Sequence, residues 1–159
     1  MQTVNNLGLL YGEQGKLHEA EKMYMRALRR KENAWGADNM LTLPMVNNLG
    51  ILYTSQGKLQ EAEEMYLRVL GGKKGWKSDH MSTFDAANNL AALYTYQGKL
   101  QEAEHLYMRA LRGYEKIVGP QDVMKHRPPI KITQNLARLL LMQGKRLEAK
   151  RLFGQGNTR

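Results

Sequence analysis

The sequence predicts an all-α solenoid of antiparallel helix hairpins, three of them complete and a fourth truncated. Three observations predict it. Four similar blocks start at Asn5, Asn47, Asn88 and Gln134, separated by 42, 41 and 46 residues. Within each block apolar residues recur at helical spacing. Each block is also broken once, at a Gln-Gly pair. Self-similarity at such a period marks units that bury their apolar faces only against neighbours.

The elements follow in order. In the first helix of the first block, Val4, Leu7, Leu10 and Tyr11 make one apolar stripe. The pairs Gln14-Gly15, Gln56-Gly57, Gln97-Gly98 and Gln143-Gly144 end the first helices, because glycine enters the left-handed conformation at no steric cost. A second helix then runs from Leu17 to about Arg30 in the first block, with Ala20, Met23, Tyr24, Ala27 and Leu28 inward. Its Glu19 and Glu21 near the start and arginines near the end suit the helix dipole. Gly8, Gly50, Ala91 and Ala137 are expected to face Ala20, Ala62, Ala103 and Ala149, since helices approach closely only where side chains are small. Tyr24, Tyr66, Tyr107 and Phe153 are expected to fill the space between hairpins.

Linkers are expected over Arg29–Leu41, Gly71–His80 and Arg112–Pro129. The first two share Trp35, Asp38, Thr42 and Trp76, Asp79, Thr83 in register, a recurrence that suggests packing. Pro128-Pro129 is expected to start the last first helix, where a missing N–H costs nothing. These marks give a single domain over residues 1–159, with repeats at about 1–38, 39–79, 80–122 and 128–154 and a tail at 155–159.

The pattern L-G-x-x-Y followed by A-x-x-x-F/Y resembles the tetratricopeptide repeat. Leu7-Gly8-Tyr11-Ala20-Tyr24, Leu49-Gly50-Tyr53-Ala62-Tyr66 and Leu90-Ala91-Tyr94-Ala103-Tyr107 carry the likeness, and Leu136-Ala137-Leu140-Ala149-Phe153 carries it less fully. The usual first-helix tryptophan is replaced by Val4, Val46, Ala87 and Thr133. The period near 42, together with NNL(A/G)xLY, QGK and EAExxYxRAL, is similar to repeats of the kinesin light chain type. Gly119-Pro120 is like the Gly-Pro turn of those repeats. Similar arrays follow the nucleotide-binding modules of some signalling ATPases. The resemblance implies a right-handed superhelix whose first helices line a concave surface and whose second helices form the outer one. It also implies a protein–protein interaction scaffold.

On that geometry the groove columns are Asn5, Asn47, Asn88, Gln134 and then Asn6, Asn48, Asn89, Asn135. Beside them stand Leu9, Ile51, Ala92, Arg138, then Gly12, Thr54, Thr95, Leu141, and finally Glu13, Ser55, Tyr96, Met142. Asparagine is a poor helix-interior residue, yet its amide pairs with a peptide bond of any sequence. The groove asparagines of peptide-binding tetratricopeptide domains match these positions. The expected ligand is therefore an extended protein segment held by the carboxamides and anchored beside Ile51, Ala92 and Tyr96. The competing reading is that the asparagines bond between neighbouring hairpins and fix the stacking. Glu13 and Asp85 lie early in the groove and Lys131 and Arg138 late, so acidic residues are expected over the fourth repeat.

The chain carries a net charge of +9 and no cysteine. Disulfides are thereby excluded, and a cytoplasmic location is expected. No run of 18 apolar residues is present, so no membrane span is expected. His18, His80, His105 and His126 do not recur in register, and no metal-ligand spacing, nucleophilic triad or phosphate-binding loop is present. No catalytic, cofactor or metal site is expected. Basic clusters at Arg29-Arg30-Lys31, Lys73-Lys74-Lys77, Lys125-His126-Arg127, Lys145-Arg146 and Lys150-Arg151 offer an alternative, a basic edge that binds nucleic acid or another polyanion. Against it, aromatic and basic residues do not interleave on one surface. Neither end carries a polar cap, which leads us to expect a fragment of a longer array or a unit that associates end to end.

Overall fold

The computed structural model describes residues 16–37, 39–71 and 80–155, excluding the side chains of 153–155. Among the described residues there are seven α-helices and no strand. They fall in two compact units, Met1–Lys77 and Ser78–Arg159. The first holds α1 (Leu17–Trp35), α2 (Leu43–Ser55) and α3 (Leu59–Leu70). The second holds α4 (Met81–Tyr96), α5 (Leu100–Val118), α6 (Arg127–Met142) and α7 (Arg146–Gln155), with a 3-10 turn at Val123–Lys125. Residues expected in the first helix of the first repeat, Asn5 and Asn6 among them, lie outside the described residues.

In the first unit α2 packs against both α1 and α3. In the second, α4 packs on α5, α5 on α6 and α6 on α7. The α1 stripe Ala20, Tyr24, Ala27 and Leu28 is buried, as its spacing of four, three and one residues predicts. Leu49, Leu90 and Leu136 are each at most 1% exposed. Burying one leucine stabilises by roughly 1.5–3 kcal/mol, so these positions hold their hairpins shut.

Three of the Gln-Gly breaks form as expected, and Gln14-Gly15 lies outside the described residues. Gly57, Gly98 and Gly144 have φ of 74°, 78° and 78°. The N–H of the following lysine then reaches back to the carbonyl of Tyr53, Tyr94 or Leu140, at 2.9, 2.9 and 2.8 Å. That bond closes the helix end and starts the second helix in one step. Pro44 sits in the first turn of α2, and Pro128 and Pro129 in the first turn of α6.

Several expectations need correction. The second helices of the first and third repeats continue to Trp35 and Val118, so much of the expected linkers is helical. Gly50 makes room for the Tyr66 ring; a Cβ there would lie 2.5 Å from Tyr66 Cε1. Tyr66 therefore fills its own hairpin, and its hydroxyl sits 3.1 Å from Thr54 Oγ1. The recurring threonine is structural, since Thr42 is fully buried and donates to Asn39 O at 2.6 Å. Trp35 does not pack as its recurrence suggested: it is 46% exposed, with Lys31 Nζ 5.7 Å from its ring centre. Asp38, Trp76 and Asp79 lie outside the described residues.

Candidate functional site on the first helices

Among the described first helices, α2, α4 and α6, packing within and between hairpins leaves one face open to solvent. The side left over has the same register in α2, α4 and α6. It reads Pro44-Asn48-Ile51-Ser55, Asp85-Asn89-Ala92-Tyr96 and Lys131-Asn135-Arg138-Met142. These are steps of four, three and four residues, so each set makes one helix face. Asn48, Asn89 and Asn135 are half-buried, while Ile51, Ala92, Arg138 and Tyr96 are exposed. Tyr96 is 80% exposed and Ile51 41%.

The first carboxamide column behaves differently. Asn47 and Asn88 are buried, at 8% and 9% exposed, whereas Gln134 is exposed. Consecutive residues point about 100° apart on a helix, which turns residue 47 towards the packed side and residue 48 towards the open one. Asn88 Oδ1 accepts from Asn135 Nδ2 at 3.2 Å, which ties α4 to α6, and Asn88 Nδ2 donates to Asn89 Oδ1 at 3.4 Å. Asn88 thus bonds between hairpins. Thr54 and Thr95, expected in the groove, donate to Gly50 O and Ala91 O at 2.9 and 2.8 Å inside their own helices. Ser55 likewise donates to Ile51 O. Leu9, Gly12 and Glu13 lie outside the described residues.

The electrostatics also depart from the expectation at one place. Asp85 accepts a hydrogen bond from the Tyr114 hydroxyl at 2.6 Å. Burial first, and then that bond to a carboxylate, push the Tyr114 phenol far above its ordinary range. The carboxylate is thus anchored from below by α5. A sequence reading missed this pair because Tyr114 has no counterpart in the other repeats, where Lys31 and Lys73 stand at its position. His80, noted for its failure to recur, caps α4: its Nδ1 accepts from the Ser82 N–H at 3.3 Å.

Chemically, these faces offer amide donors and acceptors, apolar side chains and, on α6, two exposed cations. Among the described residues no three His, Asp or Glu side chains gather as a metal ion would need. Among them, too, no helix is long and apolar enough to cross a membrane.

Family models described as tetratricopeptide repeat match residues 1–74 and 83–123. The chain belongs to the tetratricopeptide repeat family. Such repeats are generally protein–protein interaction scaffolds without catalysis, and no catalytic family is indicated. No curated protein matches the chain. Among solved structures it is similar to BtubC (BKLC) from P. vanneervenii, with a TM-score of 0.83 at 22% identity. That likeness covers 98% of this chain and 60% of that one, so the chain spans less than two thirds of it. It is also similar to a Podosopora anserina protein of kinesin light chain type with nearly identical TPR-like repeats. There the TM-score is 0.61 at 20% identity, over 98% of this chain and 92% of that one. A tetratricopeptide repeat protein from Parabacteroides merdae matches at TM-score 0.53 and 23% identity, covering 96% and 64%. At these identities the solved structures speak for the tetratricopeptide fold alone.

Proposed function

We propose that this tetratricopeptide protein binds extended protein segments on the exposed first-helix faces within each of its units, α2 in the first and α4 with α6 in the second. The observation that carries the reading is the carboxamide in the same register of each face, at Asn48, Asn89 and Asn135, beside an exposed residue one turn on. Each carboxamide gives a backbone both a donor and an acceptor, at about 0.5–1.5 kcal/mol net per bond. Ile51, Ala92 and Tyr96 supply apolar anchoring next to them. Lys131 and Arg138 favour acidic residues in the part of the segment that lies over α6. Asn88, buried under the bond from Asn135, orients the face and does not itself contact the segment.

The test is Asn48→Ala with Asn89→Ala against a peptide array read at two salt concentrations. Helicity should be unchanged while peptide signal falls, with acidic peptides losing more at high salt. Full retention of binding by the double variant would remove the first helices as the site.

A further inference from the structure

The second and fourth repeats share a cluster of charges but differ by one aromatic ring. In the second repeat Tyr53 lies between Lys58, whose Nζ is 5.3 Å from the ring centre, and Glu21 of α1. Lys58 Nζ in turn donates to Glu21 Oε2 at 3.0 Å, and Gln56 Nε2 donates to the same oxygen at 3.1 Å. Burial and the neighbouring Glu21 charge both raise the Tyr53 phenol above its ordinary range. In the fourth repeat the charges return in the same register: Lys145 Nζ donates to Glu104 Oε2 at 2.8 Å. The ring does not, because Leu140 stands where Tyr53 and Tyr94 stand.

A cleft of about 170 Å³ opens there between α5, α6 and α7. Met108 and Leu152 make its accessible apolar wall over buried Leu136 and Leu140, and Glu104, Glu148 and Arg151 stand at its polar side. Gln143, the counterpart of Gln56, keeps its side-chain nitrogen and oxygen buried without a hydrogen-bond partner among the described residues. Outside that lining, which holds two carboxylates and one guanidinium, the surroundings are mainly cationic. Exposed His105, Arg109 and Arg112 follow one another along the same side of α5, and exposed Arg146, Lys150 and Arg151 lie on α7.

We infer that this cleft is a second docking site, distinct from the first-helix faces, for a tyrosine in an acidic segment of a partner protein. The partner's ring takes the place that Tyr53 occupies in the second repeat. It packs on Met108 and Leu152, above buried Leu136 and Leu140, with Lys145 over its face and its hydroxyl donated to Glu104. Carboxylates flanking that tyrosine meet Arg112 and Arg151. Nucleic acid fits less well, since α5 and α7 offer no exposed aromatic ring for base stacking among the described side chains.

The experiment measures fluorescence anisotropy of the full chain with labelled peptides Glu-Glu-Asp-X-Glu-Asp-Glu, where X is Tyr, Phe or Ser at equal charge. A buried aromatic anchor should bind about tenfold more tightly than the serine peptide, with phenylalanine between. Leu140→Tyr fills the cleft with the chain's own ring and should erase that preference while weaker charge attraction persists. Circular dichroism checks that it folds, and Met108→Tyr serves if it does not. Arg112→Glu with Arg151→Glu should weaken all three peptides, and Asn48→Ala with Asn89→Ala should leave the tyrosine preference intact. Equal affinity of the tyrosine and serine peptides for the native chain would overturn the inference. So would a tyrosine preference that survives Leu140→Tyr, or tighter retention of a single-stranded oligonucleotide of the same charge.

Discussion

The second helix of the α2–α3 hairpin stops after 12 residues, while that of the α4–α5 hairpin runs for 19. Both begin with Leu-Gln-Glu-Ala-Glu and keep the same inward alanine and tyrosine. Each then meets glycine within a few residues, with opposite results. Gly71 turns left-handed, at φ 88° and ψ 24°, and ends α3. Gly113 stays helical inside α5, although glycine costs about 1 kcal/mol relative to alanine in a helix interior. The difference lies in what each glycine meets. A Cβ at Gly113 would sit 2.1 Å from Phe84 Cε1, so the missing side chain lets the Phe84 ring reach the α5 backbone. Tyr114 then stacks beside Phe84 at 5.2 Å and 56°, and its hydroxyl reaches Asp85. Tertiary contact, not local propensity, carries α5 past its glycine.

One substitution made at both glycines breaks or sharpens this contrast. Gly113→Ala should destabilise by about 1–3 kcal/mol through overpacking against Phe84, despite its gain in helix propensity. Gly71→Ala should cost about 1–2 kcal/mol because alanine is strained at positive φ. Only the first penalty should vanish when Phe84→Ala is added, since only that alanine meets the ring. Urea unfolding of the four members of each cycle reads the coupling. Additive effects at Gly113 would mean that Phe84 does not decide its place in the helix.

Tyr114→Phe probes the same extension more gently. It removes the hydroxyl that donates to Asp85 and leaves the ring against Phe84. A loss of about 1 kcal/mol is expected, small because half-buried Asp85 can rehydrate. In an Asp85→Asn background the same change should cost less, and unfolding midpoints of the four proteins decide it.

The stacked hairpins were legible because their cause is periodic: leucine stripes, Gln-Gly breaks and small crossing residues repeat four times. Non-repeating contacts were not legible. Nothing in the pattern marks Gly113 as helical, because its reason lies across the hairpin at Phe84. For the same reason the linker limits were placed too early in the first and third repeats. The candidate face was half legible. Repetition of Asn-Asn drew attention to both columns, but only helix geometry separates Asn88, buried under the bond from Asn135, from Asn89 one residue on. Register placed Tyr96 on this face, but nothing in the pattern singles out its 80% exposure, since glutamate, serine and methionine fill its position elsewhere.

The smallest expected effect concerns the ion pairs that follow the Gln-Gly turns, one in each unit. Burial alone would raise the Glu21 carboxyl, but hydrogen bonds from Lys58 and Gln56 outweigh it and hold the group below its ordinary 4.5. A carboxyl whose folded pKa is depressed adds stability above its unfolded value, and that stability is lost as pH falls through the folded one. Lys58→Gln should therefore lower the unfolding midpoint near neutral pH, with the gap to the native chain closing as pH drops below about 4.5. Lys145→Gln tests the other branch. The hydrogen bond to Glu104 raises the Lys145 ammonium above its ordinary 10.5, so its contribution is complete below that value and lost as pH rises beyond it. Both lysines are partly exposed, so salt should weaken both effects. Urea midpoints from pH 3 to 7 at low and high salt check the Lys58 branch. A gap that stays constant through the acid range would assign the Lys58 contribution to packing over the Tyr53 ring instead of to its charge pairing with Glu21.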